Sequence, residues 1–151
     1  ARELGCGYAI LRYGHIFGPG EGAYEKLIPK TIHNLLRGEP PVLNGNGNAE
    51  RDYLYVDDAV EATLRAATST IEELGPVNIV RGTSTSLRKI AEYLIRITGF
   101  SGSVQYLEDR PNGYSLRFNN AMMRSMLGEW DVVGLEEGLS REVYYLRRLS
   151  L

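Results

Sequence analysis

The feature that most constrains the fold is a regular alternation between short β-type runs and segments with helical periodicity. Residues 8–13 (YAILRY) are β-branched and aromatic, which predicts a buried strand. Apolar residues then recur at helical spacing from Leu27 to Leu35, and Gly38 followed by Pro40 ends that helix. The alternation continues to the end of the chain and predicts an α/β or α+β fold.

Residues 53–56 (YLYV) predict a second strand that runs directly into a helix. Asp57 or Asp58 is expected to cap this helix, because Glu61 follows Asp58 at capping-box spacing. The predicted inner face of the helix consists of Val60, Leu64 and Ala67.

The rest of the chain predicts further elements of both kinds. They are strands at 41–43, 76–80 and 104–107, turns at 44–48 and 82–85, a helix that starts near Leu87 and ends at Gly99, and helices at 120–127 and 135–149. The sequence contains no fixed-period repeat and no long linker, so residues 1–151 are treated as one domain.

Composition excludes several classes of function. The 151 residues are 43% hydrophobic and 24% charged, and their net charge of −2 gives no footprint for nucleic acid or an anionic membrane. No apolar run approaches the ~18 residues of a membrane span, and no signal peptide is evident. A single cysteine, Cys6, excludes an internal disulfide and favours a reducing, cytoplasmic location.

The start of the chain predicts that it is part of a larger protein. Residues 1–5 (ARELG) are typical of the last turn of a helix closed by a glycine, and no methionine precedes them. Because the chain begins at a helix end and enters a buried strand, we expect it to be part of a longer sequence.

One motif imitates a nucleotide-binding loop. Residues 18–23 (GPGEGA) fit the loose dinucleotide fingerprint after a strand and before a helix. Pro19, however, removes an N–H from a loop that must direct N–H groups at a pyrophosphate, and no strand ends in an acidic residue about 20 positions later. We therefore interpret this stretch as a turn.

The sequence contains no self-contained catalytic set. None of its ten tyrosines has a lysine at the fourth following position, where an ammonium group would lower the phenol pKa in short-chain oxidoreductases. Cys6, His15 and His33 lack metal-ligand spacing, and two histidines without a placed partner do not define a serine triad.

Two arginines in loops are better candidates for ligand binding. Arg51 lies between a Gly/Asn-rich turn and a strand, and Arg110 lies in a polar loop after a possible strand. The planar guanidinium group can form two parallel charge-assisted hydrogen bonds to a diphosphate. Sequence spacing alone also allows the alternative that each arginine is an ordinary surface residue or part of an ion pair.

Several stretches, in order along nearly the whole chain, resemble the extended short-chain dehydrogenase/reductase family of nucleotide-sugar epimerases, 4,6-dehydratases and decarboxylases. They are LRYGHIFGPG (11–20), LRGEPPVLNGNG (36–47), ERDYLYVDDA (50–59), the stretch 76–87, and the closing Arg110-Pro111, LGEW (127–130) and LEEGL (135–139). The segment EKLIP (25–29) is most similar to sugar-nucleotide 4,6-dehydratases.

The resemblance implies the carboxy-terminal, substrate-binding half of such an enzyme. The expected fold is α/β, with an incomplete Rossmann-type portion plus a small α/β substrate-binding domain, in which strands 8–13 and 77–80 complete a parallel sheet of the missing amino-terminal half. That half would carry the NAD loop and the catalytic Tyr and Lys. NAD is therefore expected in the full-length enzyme and not on this chain alone, and the open sheet makes self-association possible.

The resemblance also assigns residues to the site. A nucleoside-diphosphate sugar would be bound by Arg51, Arg110, His15, Lys26, Leu27 and Asn44, and Tyr13 would lie near the nicotinamide pocket. Arg51 and Arg110 would clamp the diphosphate. His15 replaces the family's usual asparagine, Asn44 replaces an aromatic residue that often packs on the base, and Asn112 and Gly113 replace Gly-Asp after Arg-Pro.

Three functions follow as hypotheses. The chain is part of an NAD-dependent epimerase or dehydratase and inactive alone, or a stand-alone binding or interaction module without catalysis, or a globular piece whose exposed strand pairs non-specifically. The sequence leaves open which sugar and which nucleotide would be bound.

Overall fold

The structure is a computed structural model that describes residues 3, 7–24, 26–71 and 73–149. Cys6, Glu25 and most of the predicted helix end at 1–5 lie outside the described residues. The elements, in chain order, are β1 (Tyr8–Tyr13), β2 (His15–Phe17), a 3-10 helix (Glu21–Ala23), α1 (Leu27–Leu36), β3 (Val42–Asn44), β4 (Glu50–Tyr55), α2 (Val56–Ala67), β5 (Glu73–Ile79), β6 (Ser84–Ser86), α3 (Leu87–Thr98), β7 (Gln105–Leu107), α4 (Ala121–Leu127) and α5 (Leu135–Leu149).

The strands form small sheets that are mostly parallel. β1 pairs with β5, β2 pairs with β4, and β3 pairs with β7, all in parallel, whereas β6 runs antiparallel to β4. The parallel pairing of β1 with β5 agrees with the resemblance, which placed strands 8–13 and 77–80 in one parallel sheet. The antiparallel strand was missed, because residues 84 and 85 were expected to belong to the turn at 82–85, and the pairing of β6 with Glu50–Asp52 is long-range in sequence.

Two hydrophobic cores lie on either side of β4. The first, here called the cavity-side core, joins β2 and β4 to α1, α3 and α5. Its buried members are Phe17, Ile28, Ile32, Leu35, Tyr53, Tyr55, Ile90, Leu94, Leu139, Val143 and Leu146. The helical periodicity of residues 27–35 predicted the members from α1, because apolar residues three and four apart share one helix face.

The second, here called the two-strand core, lies between the β1–β5 pair and helices α2 and α4. Its buried members are Leu54, Ala59, Ala62, Ala66, Leu74, Val77, Ile79, Met123 and Leu127. β4 contributes to both cores because successive side chains of a strand point to opposite faces, so Leu54 faces one core while Tyr53 and Tyr55 face the other.

Asp52 ties the end of β5 to β4. Its carboxylate is fully buried and accepts hydrogen bonds from the backbone N–H groups of Arg81 (2.8 Å) and Gly82 (2.7 Å). Burial raises the pKa of Asp52 even though both hydrogen bonds oppose that shift. Gly82 has φ +84°, and a Cβ there would lie 2.6 Å from the Asn120 side chain, so this turn requires glycine.

The prediction that β1 is buried was wrong for this chain. Ile10 and Tyr13 are each 46% exposed. β5 covers one edge of β1, and no described element pairs with the other edge or covers the outer face of the strand. The apolar character of the sequence was recognised correctly, but burial needs a covering surface that the described residues do not supply.

The predicted inner face of α2 was also wrong. Ala59, Ala62 and Ala66 are buried, whereas Val60 and Leu64 are 52% and 57% exposed and Ala67 is exposed. The small alanine side chains allow the helix to approach the sheet, and the larger residues point outwards.

The capping box predicted for α2 does not form. Val56 already starts the helix, and neither Asp57 nor Asp58 caps it. Asp58 is buried and accepts hydrogen bonds from Trp130 Nε1 (3.1 Å) and the backbone N–H of Val133 (3.1 Å). Burial raises its pKa against these bonds. Glu61 instead pairs with Arg65.

In the part of the chain that the structure describes, no helix combines the length and the apolar character needed to cross a membrane.

Candidate sugar-nucleotide site

A cavity of about 410 Å³ opens between β2, β4, the 3-10 helix and the first turn of α1. This volume lies within the range of small-molecule sites. Its lining combines an apolar floor with two cationic groups and one anionic group. The lining residues are Gly14, His15, Ile16, Phe17, Glu21, Lys26, Leu27, Ile28, Arg51, Tyr53 and Leu87.

The sheet places His15, Arg51 and Tyr53 together. His15 starts β2 and is in register with Tyr53 on the parallel neighbour β4, and their rings meet edge to face with centroids 5.7 Å apart. Arg51 precedes Tyr53 by two residues, so both side chains point to the same face of β4. The alternation within β4 therefore brings Arg51 and Tyr53 to one wall, and the parallel register with β2 adds His15.

Arg51 is anchored at one edge of its guanidinium group. Nη1 donates to the carbonyl oxygens of Glu50 (2.8 Å) and Tyr114, and the guanidinium carbon lies 5.5 Å from the centroid of the Tyr114 ring. Among the described residues these contacts use Nη1 alone, which leaves the donors on Nε and Nη2 for a ligand.

Lys26 brings the second cation to the cavity. It immediately precedes α1, and its Nζ lies 3.1 Å from Glu21 Oε2. The first turn of α1 carries no acidic residue, so its unpaired backbone N–H groups add partial positive charge at Leu27 and Ile28.

Two ionisable rings of the cavity, those of His15 and Tyr53, are uncharged near pH 7. Burial, followed by the charges of Arg51 and Lys26, lowers the pKa of His15, so its imidazole is neutral near pH 7. Its Nδ1 is buried without a partner among the described residues. Burial raises the pKa of Tyr53 to about 12, which keeps the phenol protonated. The net positive charge of the wall therefore rests on arginine and lysine.

Two buried carboxyl groups interact at this site, Glu21 in the cavity lining and Glu142 outside it. Glu142 of α5 is fully buried, and neither of its oxygens has a partner among the described residues. Burial, followed by the charge of Glu21, raises the pKa of Glu142 to about 7. Burial also raises the pKa of Glu21, although Lys26 opposes the shift, and Glu21 Oε1 is unpartnered in the described part of the chain.

The cavity brings together four of the seven residues that the sequence assigned to a site, namely His15, Lys26, Leu27 and Arg51. Arg110 and Asn44 lie outside the lining. They are near neighbours of each other, because Asn44 pairs with Leu107 across β3 and β7, and the Arg110 N–H donates to the Leu107 carbonyl (3.0 Å). Tyr13 also lies outside the cavity, on β1, where its hydroxyl lies 2.5 Å from Thr63 Oγ1 of α2.

Sequence reasoning missed Glu21, Tyr53, Tyr114 and Glu142. The two-residue spacing from Arg51 could have indicated Tyr53, and Glu142 falls at a helical position shared with Leu139 and Leu146. Tyr114 lies in an irregular loop, so nothing in its local sequence indicated contact with Arg51.

The GPGEGA stretch does not form a dinucleotide loop. Glu21 starts a 3-10 helix, and its backbone N–H donates to the Gly18 carbonyl (3.3 Å) and is not free for a phosphate. The residues of this turn do not fit an NAD pyrophosphate.

The site is thus a cavity with apolar walls, two cations and one carboxyl group, built on an α/β scaffold of mostly parallel strands. The chain belongs to the NAD dependent epimerase/dehydratase family, whose model matches residues 1–79. The resemblance drawn from the sequence motifs and the expected α/β fold with a Rossmann-type portion are thereby confirmed.

Curated relatives are enzymes of sugar-nucleotide metabolism. The dTDP-glucose 4,6-dehydratase of Streptomyces griseus is 32% identical over 148 residues, which cover 95% of this chain and 44% of that enzyme. The UDP-N-acetyl-alpha-D-glucosaminuronate decarboxylase of Bacillus cytotoxicus is 27% identical, with 97% and 48% covered. The chain spans about half the length of these relatives.

Solved structures agree with this assignment. The UDP-glucose 4-epimerase of Thermotoga maritima, solved with UDP-glucose, is 32% identical with a TM-score of 0.88, and the match covers 100% of this chain and 49% of that one. The UDP-glucuronic acid 4-epimerase of Bacillus cereus, solved with UDP-glucuronic acid and NAD, is 26% identical with a TM-score of 0.82 over 93% of this chain and 45% of that one.

Proposed function

We propose that this chain binds a nucleoside-diphosphate sugar in the cavity between β2, β4 and α1, as the substrate-binding part of a longer NAD-dependent epimerase or dehydratase. The observation that carries the proposal is the convergence of Arg51 and Lys26 on one cavity of ligand size. Arg51 would bind the diphosphate through its free donors, and Lys26 and Leu27 would meet the ligand at the start of α1.

The charges of the cavity favour this ligand class. A diphosphate is a compact anion, and two cations with a helix amino terminus stabilise it most where apolar walls exclude water. The lining of Phe17, Ile28 and Leu87 supplies such walls. Arg110 and Asn44 remain proposed contacts, which would have to reach the ligand from the β3–β7 side.

NAD belongs, in this proposal, to the full-length enzyme. It supplies hydride transfer when bound, and this chain contributes binding and orientation of the sugar nucleotide. We propose that Tyr13 borders the nicotinamide region, consistent with its exposed position on β1, whose free edge can accept a further strand. We expect the chain alone to bind no NAD and to turn over no substrate.

Calorimetry with UDP, UDP-glucose, UDP-glucuronic acid and dTDP-glucose tests the binding proposal. The variant Arg51→Ala should lose about 1.5–3 kcal/mol of binding free energy, the scale of hydrogen bonds to a charged group. Arg124→Ala is the matched control, since Arg124 is an exposed arginine that pairs with Glu129 and lies outside this cavity.

Unchanged affinity in Arg51→Ala would remove Arg51 from the site, and failure of every sugar nucleotide to bind would reject the proposal. An NAD-dependent epimerase rate from these 151 residues would contradict the division of roles.

A further inference from the structure

The loop that contains Arg110 folds back over the start of β4. The Leu116 N–H donates to the Glu50 carbonyl (3.0 Å), the Glu50 N–H donates to Ser115 Oγ (3.0 Å), and Arg117 pairs with the Glu50 carboxylate at 2.7 Å. On the other side of the loop, the Asn46 N–H donates to Asn112 Oδ1 (2.8 Å). Residues 112–117 are thus held to both ends of the segment that leads to Arg51.

Tyr114 is the residue of this loop that meets Arg51, and it does so in two ways. Its carbonyl oxygen accepts a hydrogen bond from Arg51 Nη1, and its ring lies under the guanidinium group at 5.5 Å. A Cβ on the adjacent Gly113 would lie only 3.6 Å from Arg51 Nη2, so the backbone of the loop is also close. The guanidinium group is therefore confined on one edge and one face.

The Tyr114 ring does not contribute to either hydrophobic core. Tyr114 is 75% exposed and belongs to neither hydrophobic core. An exposed aromatic ring against a guanidinium group restricts the arginine side chain, whose rotamer freedom is otherwise large, and a restricted arginine loses less entropy when it binds a ligand.

We infer that Tyr114 is a positioning residue, which orients Arg51 so that Nε and Nη2 face the cavity. The inference rests on the proposed function for its consequence, because an oriented Arg51 matters only if the cavity binds a diphosphate. Tyr114 itself need not touch the ligand.

The affinities of Tyr114 variants for UDP and for uridine distinguish positioning of Arg51 from direct contact between Tyr114 and the ligand. Tyr114→Ala keeps the backbone carbonyl and removes the ring, and should weaken UDP binding about two- to fivefold, the scale of an exposed cation–π contact. Tyr114→Phe keeps the ring and should bind UDP within about twofold of the unchanged chain. Uridine lacks the diphosphate, so its affinity should be the same in all three proteins.

Tyr144→Ala is the matched control. Tyr144 is 65% exposed and its ring is likewise covered by an arginine, Arg148, at 5.7 Å, but it lies on α5 outside the cavity. This variant should leave UDP affinity unchanged. In an Arg51→Ala background, Tyr114→Ala should cause no further loss, because the group that it positions is gone.

Two results would overturn the inference, namely a loss in uridine affinity equal to the loss for UDP, or additive losses in the double variant.

The Arg51 Nε–H signal in NMR gives a ligand-free measurement, and its hydrogen exchange should become faster in Tyr114→Ala but not in Tyr114→Phe. An unchanged exchange rate in Tyr114→Ala would also reject the inference. If UDP fails to bind while this signal still responds, the proposed function falls and the positioning of Arg51 stands.

Discussion

The cavity-side core and the two-strand core are built on opposite faces of the same strand, yet they differ in how completely they are covered. The cavity-side core is enclosed by three helices, and Ile32, Ile90 and Leu94 are fully buried in it. The two-strand core has an equally buried centre, but Ile10 on β1 and Leu64 on α2 lie about half exposed around it. The cavity-side core is complete within the described residues, whereas the strand and the helix of the two-strand core each carry apolar residues with no cover among them.

This difference fits the proposed division of roles. The cavity and its two cations, where we propose that the ligand binds, lie on the complete side. The incomplete side carries Tyr13 and the free edge of β1, which is where a further parallel strand would add. Residues on the two sides should therefore respond differently to substitution, and the experiments below measure that difference.

The largest expected effect is on the complete side. Leu94→Ala removes a fully buried side chain from α3 and should lower the free energy of unfolding by about 2–5 kcal/mol, through lost burial and a cavity. Leu64→Ala, the matched control on α2, should change it by about 0.5 kcal/mol or less, because Leu64 is 57% exposed. Urea denaturation measures both. Equal losses would mean that the outer face of α2 is covered in solution.

A smaller and pH-dependent effect is expected at Glu142. Its pKa is raised from 4.5 to about 7, so the protonated form stabilises the fold fully below about pH 4.5, and this contribution is lost as the pH rises through 7. Glu142→Gln stays neutral and should raise the free energy of unfolding by about 1–3 kcal/mol at pH 8 and by almost nothing at pH 4.

The ionisable neighbours of Glu142 differ in whether they interact with it or with groups at the surface. Glu21 of the 3-10 helix and Tyr55 of β4 interact with it electrostatically, while its neighbour Arg141 is engaged by Asp57 and Glu137 at the surface. Glu137→Gln, which changes an exposed carboxylate of the same helix, should show no comparable pH dependence. A gain for Glu142→Gln that is the same at pH 4 and pH 8 would contradict the assignment.

Most helices and strands were predictable from the sequence because their signals are local. The periodicity of residues 27–35 and the glycine at position 99 correctly placed α1 and the end of α3, and the predicted turn at 44–48 contains Gly45 and Gly47 with positive φ values of 62° and 70°. β6 was missed because three polar residues become a strand only by pairing with β4.

The site was predictable only in part. Family motifs indicated Arg51 and Lys26, which do line one cavity, but Tyr114 and Glu142 act through contacts more than 60 residues away in sequence. The error on α2 has a similar origin, because alanines give a weak hydrophobic signal although close helix–sheet packing selects them. Which apolar residues are covered depends on neighbours that periodicity does not reveal.

The smallest effect on stability is expected from a charge on the exposed side of α2, and the same variant tests whether copies of the chain associate there. An apolar surface next to a free strand edge favours pairing between copies of a chain. Leu64→Lys places a charge on this face and should weaken self-association in sedimentation experiments, while changing the unfolding free energy of the monomer by no more than about 0.5 kcal/mol. Leu149→Lys is the matched control, because Leu149 is a 66% exposed leucine on α5, next to the complete core. Equal effects of the two lysines would place the contact elsewhere, and a chain that stays monomeric at high concentration would show that the uncovered face tolerates water.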